Sequence, residues 1–175
     1  MNLLAEPADH GVGRSRGGLT SKIHTMVDGR GRPLVLVVTA GQANDSPMLP
    51  ALLEGLRVPR IGPGRPRTRP TAVLADKAYS SRAHRARLRA AGVTAVIPEP
   101  ADQIAHRRRR GSAGGRPPAF DAVRYRDRNV VERSYAAMKQ WRGLATRYDK
   151  LAVNYRAAAV LHAVITWCRH IGDTP

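Results

Sequence analysis

The order in which strand-like and helix-like stretches follow one another constrains this chain more than any other feature. Residues 21–27 and 34–39 are rich in apolar and β-branched side chains, and Asp28-Gly29-Arg30-Gly31 supplies a turn between them. Asp45-Ser46-Pro47 then reads as the capped start of a helix over 48–56, with proline at its first position. An apolar strand over 71–75 ends in Asp76, and a helix over 81–91 stops at Gly92, in the C-cap position. A second buried strand, 93–97, is closed by Pro98. From about residue 121 the chain is expected to be helical through Trp141, and residues 152–170 form a last apolar helix. Hairpin, helix, strand, helix, strand and two helices, without internal repeat, predict an α/β layer fold. Residues 1–18 read as a flexible basic arm, since the glycines of 11–18 fit neither a dinucleotide nor a P-loop fingerprint. Residues 19–175 are left for one folded domain, long enough to bury a core.

Charge narrows the class of partner. Thirty Lys and Arg oppose thirteen Asp and Glu, a net +17 carried almost wholly by arginine. Such a surplus repels itself in the compact state and is explained by a polyanion, whose phosphate oxygens suit the guanidinium fork. A membrane surface fits less well. The longest apolar run, 157–168, falls short of the ~20 residues that span a bilayer, and His162 interrupts it. The first residues show neither the basic nor the long apolar region of a secretion signal, so a cytoplasmic, nucleoid-associated chain is expected. Cys168 is the single cysteine, which excludes an internal disulfide framework and a cysteine-based zinc cluster. The six histidines are scattered without metal-ligand spacing.

Two acids stand out. Asp76 follows a continuous apolar strand, and sites in open α/β sheets lie at the carboxyl ends of strands. Alone, it reads rather as a turn or helix-capping aspartate. Glu132 stands in a wider pattern, with Tyr125 at −7, Arg128 at −4 and Lys139 at +7. On a 3.6-residue period these four share one narrow face, while Val131, Tyr135 and Met138 form an adjacent face fit to pack on a sheet. An i,i+4 surface pair would account for Arg128 and Glu132. It would not account for the tyrosine and lysine on the same stripe.

With those residues in place, the sequence resembles insertion-sequence DDE transposases of the IS-four and IS-five type. Their hallmark tyrosine, arginine, glutamate and lysine match Tyr125, Arg128, Glu132 and Lys139, and Asp76-Lys77-Ala78-Tyr79 matches the segment bearing the second acid. Arg14-Ser15-Arg16-Gly17-Gly18-Leu19-Thr20-Ser21-Lys22-Ile23-His24, Gly62-Pro63-Gly64-Arg65-Pro66-Arg67 and Lys139-Gln140-Trp141-Arg142-Gly143 are also similar to this family. The resemblance implies a ribonuclease-H-like mixed sheet flanked by helices, and DNA cleavage and strand transfer by two divalent ions, Mg2+ or Mn2+. Asp76 and Glu132 would be metal ligands, Arg128 and Lys139 would stabilise phosphate charge, and Tyr125 would orient that network or pack beside it. Terminal inverted repeats and target DNA are the implied partners, along with an upstream-frame product or a second copy of the chain.

The arginine-rich segments would form the DNA track. Residues 57–70 hold five arginines and no acid, Arg65, Arg67 and Arg69 among them. Residues 106–118, read as a second basic loop, contain Arg107, Arg108, Arg109 and Arg110. Arg142 and Lys139 extend the set. Trp141 and Trp167 read as core residues in a chain so poor in aromatics. The family's first acid lies on a central strand upstream of the hairpin, and no strand is expected there in this sequence. Asp9, Asp28 and Asp45 sit in an irregular stretch, a turn and a cap, so none reads as that acid. The expectation is therefore a second-frame or truncated transposase, catalytically incomplete alone. The competing reading is a basic nucleic-acid-binding protein without catalysis.

Overall fold

The computed structural model describes residues 5–171 and divides them into two compact units. The sequence reading at residues 1–4 lies outside the described residues. The first unit comprises the chain up to Asn44, residues Pro50–Thr68 and everything from Asn129 on. The second comprises Asp45–Leu49 and Arg69–Arg128.

An antiparallel sheet with strand order β1-β2-β3 forms the base of the first unit, from Gly13–Ser15 (β1), Gly18–Val27 (β2) and Pro33–Ala40 (β3). The β2–β3 hairpin is the one expected from sequence, with each strand somewhat longer than expected. Its turn is fixed by Asp28, whose Oδ1 accepts the N–H groups of Arg30 (2.9 Å) and Arg32 (3.0 Å). Its Oδ2 takes the Arg32 guanidinium. Leu36 of β3 packs with Met138, Leu144, Tyr155, Ala159 and Ala163. Those residues come from Asn129–Lys139 (α5), Arg142–Thr146 (α6) and Ala152–Ile171 (α7). The apolar face predicted for α5 is the one that packs. Met138 is buried, and the Tyr135 hydroxyl donates to the Ile23 carbonyl of β2 at 2.7 Å. Trp167 donates its indole N–H to the Pro33 carbonyl at 2.8 Å and lies under the Arg32 guanidinium, 4.0 Å from its ring centre.

Burial alone would raise the Asp28 pKa, but the Arg32 guanidinium and the two N–H donors outweigh it and hold it below the ordinary 3.8. A depressed carboxyl pKa stabilises the fold above the unfolded value and loses that contribution as pH falls through the folded value. Asp28→Asn should therefore lower the melting temperature at neutral pH and leave it nearly unchanged near pH 2. An equal loss at both pH values would show that the charge of Asp28 is irrelevant.

Residues 5–18 depart from expectation. The sequence predicts an irregular arm there with no strand before the hairpin, yet β1 pairs Arg14 with Leu19 and Ser15 with Gly18. The segment is tied down by residues too far away in sequence to be anticipated. Glu6 caps α7 from outside, its two carboxylate oxygens accepting the N–H groups of Ala152 and Val153, each at 2.9 Å. Arg147, at φ 49° in the left-handed region, donates to the carbonyls of His10 (2.7 Å), Gly11 (2.9 Å), Asp149 (3.1 Å) and Lys150 (3.3 Å) and to the Ser21 hydroxyl. Gly11 itself is buried at φ +58°, where a Cβ would meet Val38 and Ala152 at 3.2 and 3.3 Å.

In the second unit, Ala72–Leu74 (β4) and Thr94–Val96 (β5) pair in parallel, joined through the helix Arg82–Ala90 (α2). Leu88 of α2, Val93, Val96 and Ile97 are all buried, Leu88 and Ile97 completely. Gly92 stands at φ +66°, the left-handed C-cap expected at that position. The α/β class is thus as expected, with antiparallel and parallel pairing both present. They occur in separate sheets among the described residues, β1-β2-β3 and β4-β5.

Two helical expectations need correction. Asp45 makes no side-chain capping bond, because it has helical dihedrals itself and Ser46–Met48 is a 3-10 turn that runs into Leu49–Glu54 (α1). The run Arg107 to Arg110 is not a loop. It closes the helix Ala101–Arg109 (α3), where cations in the last turn suit the negative end of the helix dipole and the Arg110 N–H caps the His106 and Arg107 carbonyls. Among the described residues, no helix is long and apolar enough to cross a membrane.

Candidate active site

Asp76 leaves the carboxyl end of β4 with extended dihedrals (φ −62°, ψ 159°) and caps the 3-10 turn Lys77–Tyr79. Its Oδ1 accepts the Ala78 N–H at 3.0 Å. That satisfies the capping role foreseen for it, while no bond to the other oxygen is found among the described residues. Behind the turn, the Ser80 hydroxyl donates to Gln103 Oε1 (3.1 Å), and Gln103 Nε2 donates back to the Ser80 carbonyl (2.9 Å). Arg85 Nη2 completes this anchor through Ser80 Oγ (3.2 Å) and the Ile97 carbonyl (2.6 Å). Burial pulls the Arg85 pKa down, and the nearby Glu99 carboxylate pulls it back up. Sequence reasoning missed Ser80, Arg85 and Gln103. The legible signal was Ser81, the N-cap of α2, which accepts the His84 N–H at 3.0 Å and so fixes where the Asp76 turn must end.

Glu132 lies in the first turn of α5 and Lys139 in its last, both exposed. Seven residues apart on one α-helix, they share a face about 10 Å long. Tyr125 and Arg128 do not continue that helix. Tyr125 ends the short helix Ala122–Tyr125 (α4), and Arg126–Arg128 forms a 3-10 turn before α5. The single 3.6-residue face predicted for all four is therefore interrupted, since a 3-10 turn advances three residues per turn. The Tyr125 ring stacks obliquely on Phe120 (5.3 Å) and carries the Arg128 guanidinium 5.6 Å from its centre. Tyr125, Arg128 and Asp76 belong to the second unit, and Glu132 and Lys139 to the first.

The other acids have local duties. Asp9 accepts the Gly11 N–H, Asp28 holds its turn, and Asp121 caps α4 through the Arg124 N–H. Among the described residues, no group of three or more His, Cys, Asp or Glu is placed to hold a metal ion. The arginines also sort by role. Arg107 is half-buried and ion-paired to Glu99, so it serves the fold of the second unit. Arg108, Arg109 and Arg110 are exposed beside it. Arg65 lies exposed in a loop closed by the two Val58–Arg67 backbone bonds (2.8 and 2.9 Å), Arg69 is exposed just after it, and Arg142 is exposed at the start of α6.

A model of the transposase DDE domain matches residues 5–167, and the chain belongs to this family. Two relatives carry the match further. A transposase ascribed to insertion sequence element IS402 of Burkholderia cepacia is 33% identical over 139 residues, covering 79% of this chain and 57% of the relative. One ascribed to insertion sequence element IS6501 of Brucella ovis is 29% identical over 151 residues, covering 86% of this chain and 100% of the relative. The chain thus spans a little over half the length of the first relative and the whole of the second. No solved structure matches it.

Proposed function

We propose that the chain is the part of an insertion-sequence transposase, of the IS-four and IS-five type, that carries the second and third catalytic acids, Asp76 and Glu132. The observation that supports this most is Asp76 at the carboxyl end of β4, its carboxylate oriented by the Ala78 N–H with one oxygen uncommitted. Hard oxygen donors of this kind fit Mg2+ or Mn2+, and by the family resemblance Asp76 and Glu132 are each proposed as a ligand to such ions. Divalent ions, when bound, supply activation of the attacking oxygen and stabilisation of the leaving oxygen at a phosphodiester. In this reading Lys139 and Arg128 neutralise phosphate charge, and Tyr125 holds the Arg128 guanidinium through its ring face. The exposed Arg65, Arg69, Arg108, Arg109, Arg110 and Arg142 receive the backbone of the element's terminal repeats and target, and Arg67 contributes through its exposed side chain.

The family's first acid is proposed to arrive on a strand from outside this sequence. The outer edge of β2 from Ser21 to Val27 has no strand partner among the described residues, and the Thr25 hydroxyl there is buried without a hydrogen bond. A strand added at that edge would satisfy a row of backbone groups and bring in its own aspartate. The test is cleavage of terminal-repeat DNA in Mg2+ or Mn2+ by this chain and by the same chain joined to the upstream reading frame. The joined protein should cut and the 175-residue chain should not. Robust cutting by the chain alone would overturn the incomplete-site reading, and Asp45 would be the first residue to substitute. DNA binding without cutting by either protein would favour the competing reading, a non-catalytic basic nucleic-acid-binding protein.

A further inference from the structure

We infer that the β1–β2 hairpin, residues 13–20, is a preformed element that enters the major groove of duplex DNA. Arg14 and Arg16 would meet phosphates there, and Leu19 the floor of the groove. The inference rests on the DNA-binding part of the reading above but on none of its catalytic residues. The hairpin is rigid at its tip. Ser15 pairs with Gly18 across an Arg16-Gly17 turn, the Ser15 hydroxyl donates to the Gly18 carbonyl (3.1 Å), and it accepts the Gly17 N–H (3.3 Å). Gly18 stands at φ +105°, a conformation that favours glycine. The hairpin is also fixed at its root, where Arg147 grips the carbonyls of His10 and Gly11 and the Ser21 hydroxyl.

What this rigid element displays is uncovered. Arg14 and Leu19 are cross-strand partners and so share a face, and Leu19 is 71% exposed. The guanidinium groups of Arg14 and Arg16 are exposed and make no hydrogen bond or ion pair among the described residues. No acid occurs between Asp9 and Asp28. An exposed apolar side chain opposite one uncommitted cation, with a second in the adjoining turn and no counter-charge, matches a groove floor flanked by phosphates. The size agrees. Three residues per strand reach about 10 Å, against a major groove about 8.5 Å deep that admits a two-stranded ribbon.

The experiment measures binding of the full chain to a fluorescent duplex of terminal-repeat sequence across a range of salt. Wild-type binding that weakens steeply with salt is the premise. Arg14→Ala/Arg16→Ala should flatten the log–log salt slope by about 2, near 0.9 for each phosphate no longer neutralised. Arg14→Lys/Arg16→Lys should keep the wild-type slope. Leu19→Ser should weaken binding severalfold with the slope unchanged. All these side chains are exposed, so the variants should melt with wild type. If the wild-type chain does not bind DNA, the reading and this inference fall together. If wild type binds and the alanine pair keeps both slope and affinity, only the hairpin assignment falls. An unaffected Leu19→Ser chain overturns insertion into the groove.

Discussion

In the chain joined to the upstream reading frame, Glu132→Gln should reduce terminal-repeat cleavage by on the order of a thousandfold or more, while affinity for the same DNA changes little. The substitution keeps the shape of the side chain and removes its charge. Glu132 is exposed in the first turn of α5, and a melting curve of the variant separates loss of fold from loss of chemistry. Asp76→Asn should behave alike, for an asparagine oxygen can still accept the Ala78 N–H and keep the turn. Folding and binding controls thereby isolate the chemistry. Cleavage within tenfold of wild type for either variant would remove that residue from the set of acids.

Arg147→Ala should cost the first unit roughly 3 kcal/mol of unfolding free energy, among the largest effects expected for a partly exposed residue. Its guanidinium serves four carbonyls and a hydroxyl, and one of those carbonyls belongs to buried Gly11. Removing a charged donor leaves such acceptors without a partner, which costs more than the bonds themselves contribute. Arg147 also lies over the Tyr155 ring at 5.1 Å. The backbone gives an internal check. At φ 49° a side chain is strained, so Arg147→Gly should be about 1 kcal/mol less damaging than Arg147→Ala. Denaturant titration of the two variants measures both numbers. If they are equal, the left-handed conformation contributes nothing.

Much of this architecture was legible because local signals and tertiary packing agree. The Asp28-Gly29 turn, the apolar strands on either side of α2 and the glycine at 92 all mark elements that also bury core residues. The placement of Asp76 at a strand end was readable for the same reason. What escaped reading has no local signal. Gly13-Arg14-Ser15 lacks the alternation of a strand, and it becomes one because Ser15 closes a turn and Arg147, far along the chain, holds its root. Arg107 looks like its three neighbours in sequence, but Glu99 lies eight residues away, outside helical spacing, and claims it. The Tyr125 to Lys139 stripe assumed one regular helix, and nothing in Arg126-Asp127-Arg128 announced the 3-10 turn. The proposal that Asp76 and Glu132 act as a pair rests on the family resemblance alone, since no spacing rule links a strand end to a distant helix.

The division of the chain also sets an order of events during synthesis. The second unit is nearly continuous in sequence and can close on itself soon after residue 128 leaves the ribosome. The first unit cannot. Its β2–β3 hairpin emerges early, but the partners that cover it come last: Tyr135 bonds to Ile23, Arg156 to Leu36 and Trp167 to Pro33, across 112 to 134 residues. At roughly 5–20 residues per second, the apolar strand Val35-Leu36-Val37 waits from about 6 to about 27 seconds for α7. Throughout that interval the nascent chain carries an uncovered β surface, the form most prone to aggregation or chaperone capture. A message cut short before α7 would therefore yield a β3 strand that never acquires its cover, and a product cleared by quality control rather than a weakened enzyme.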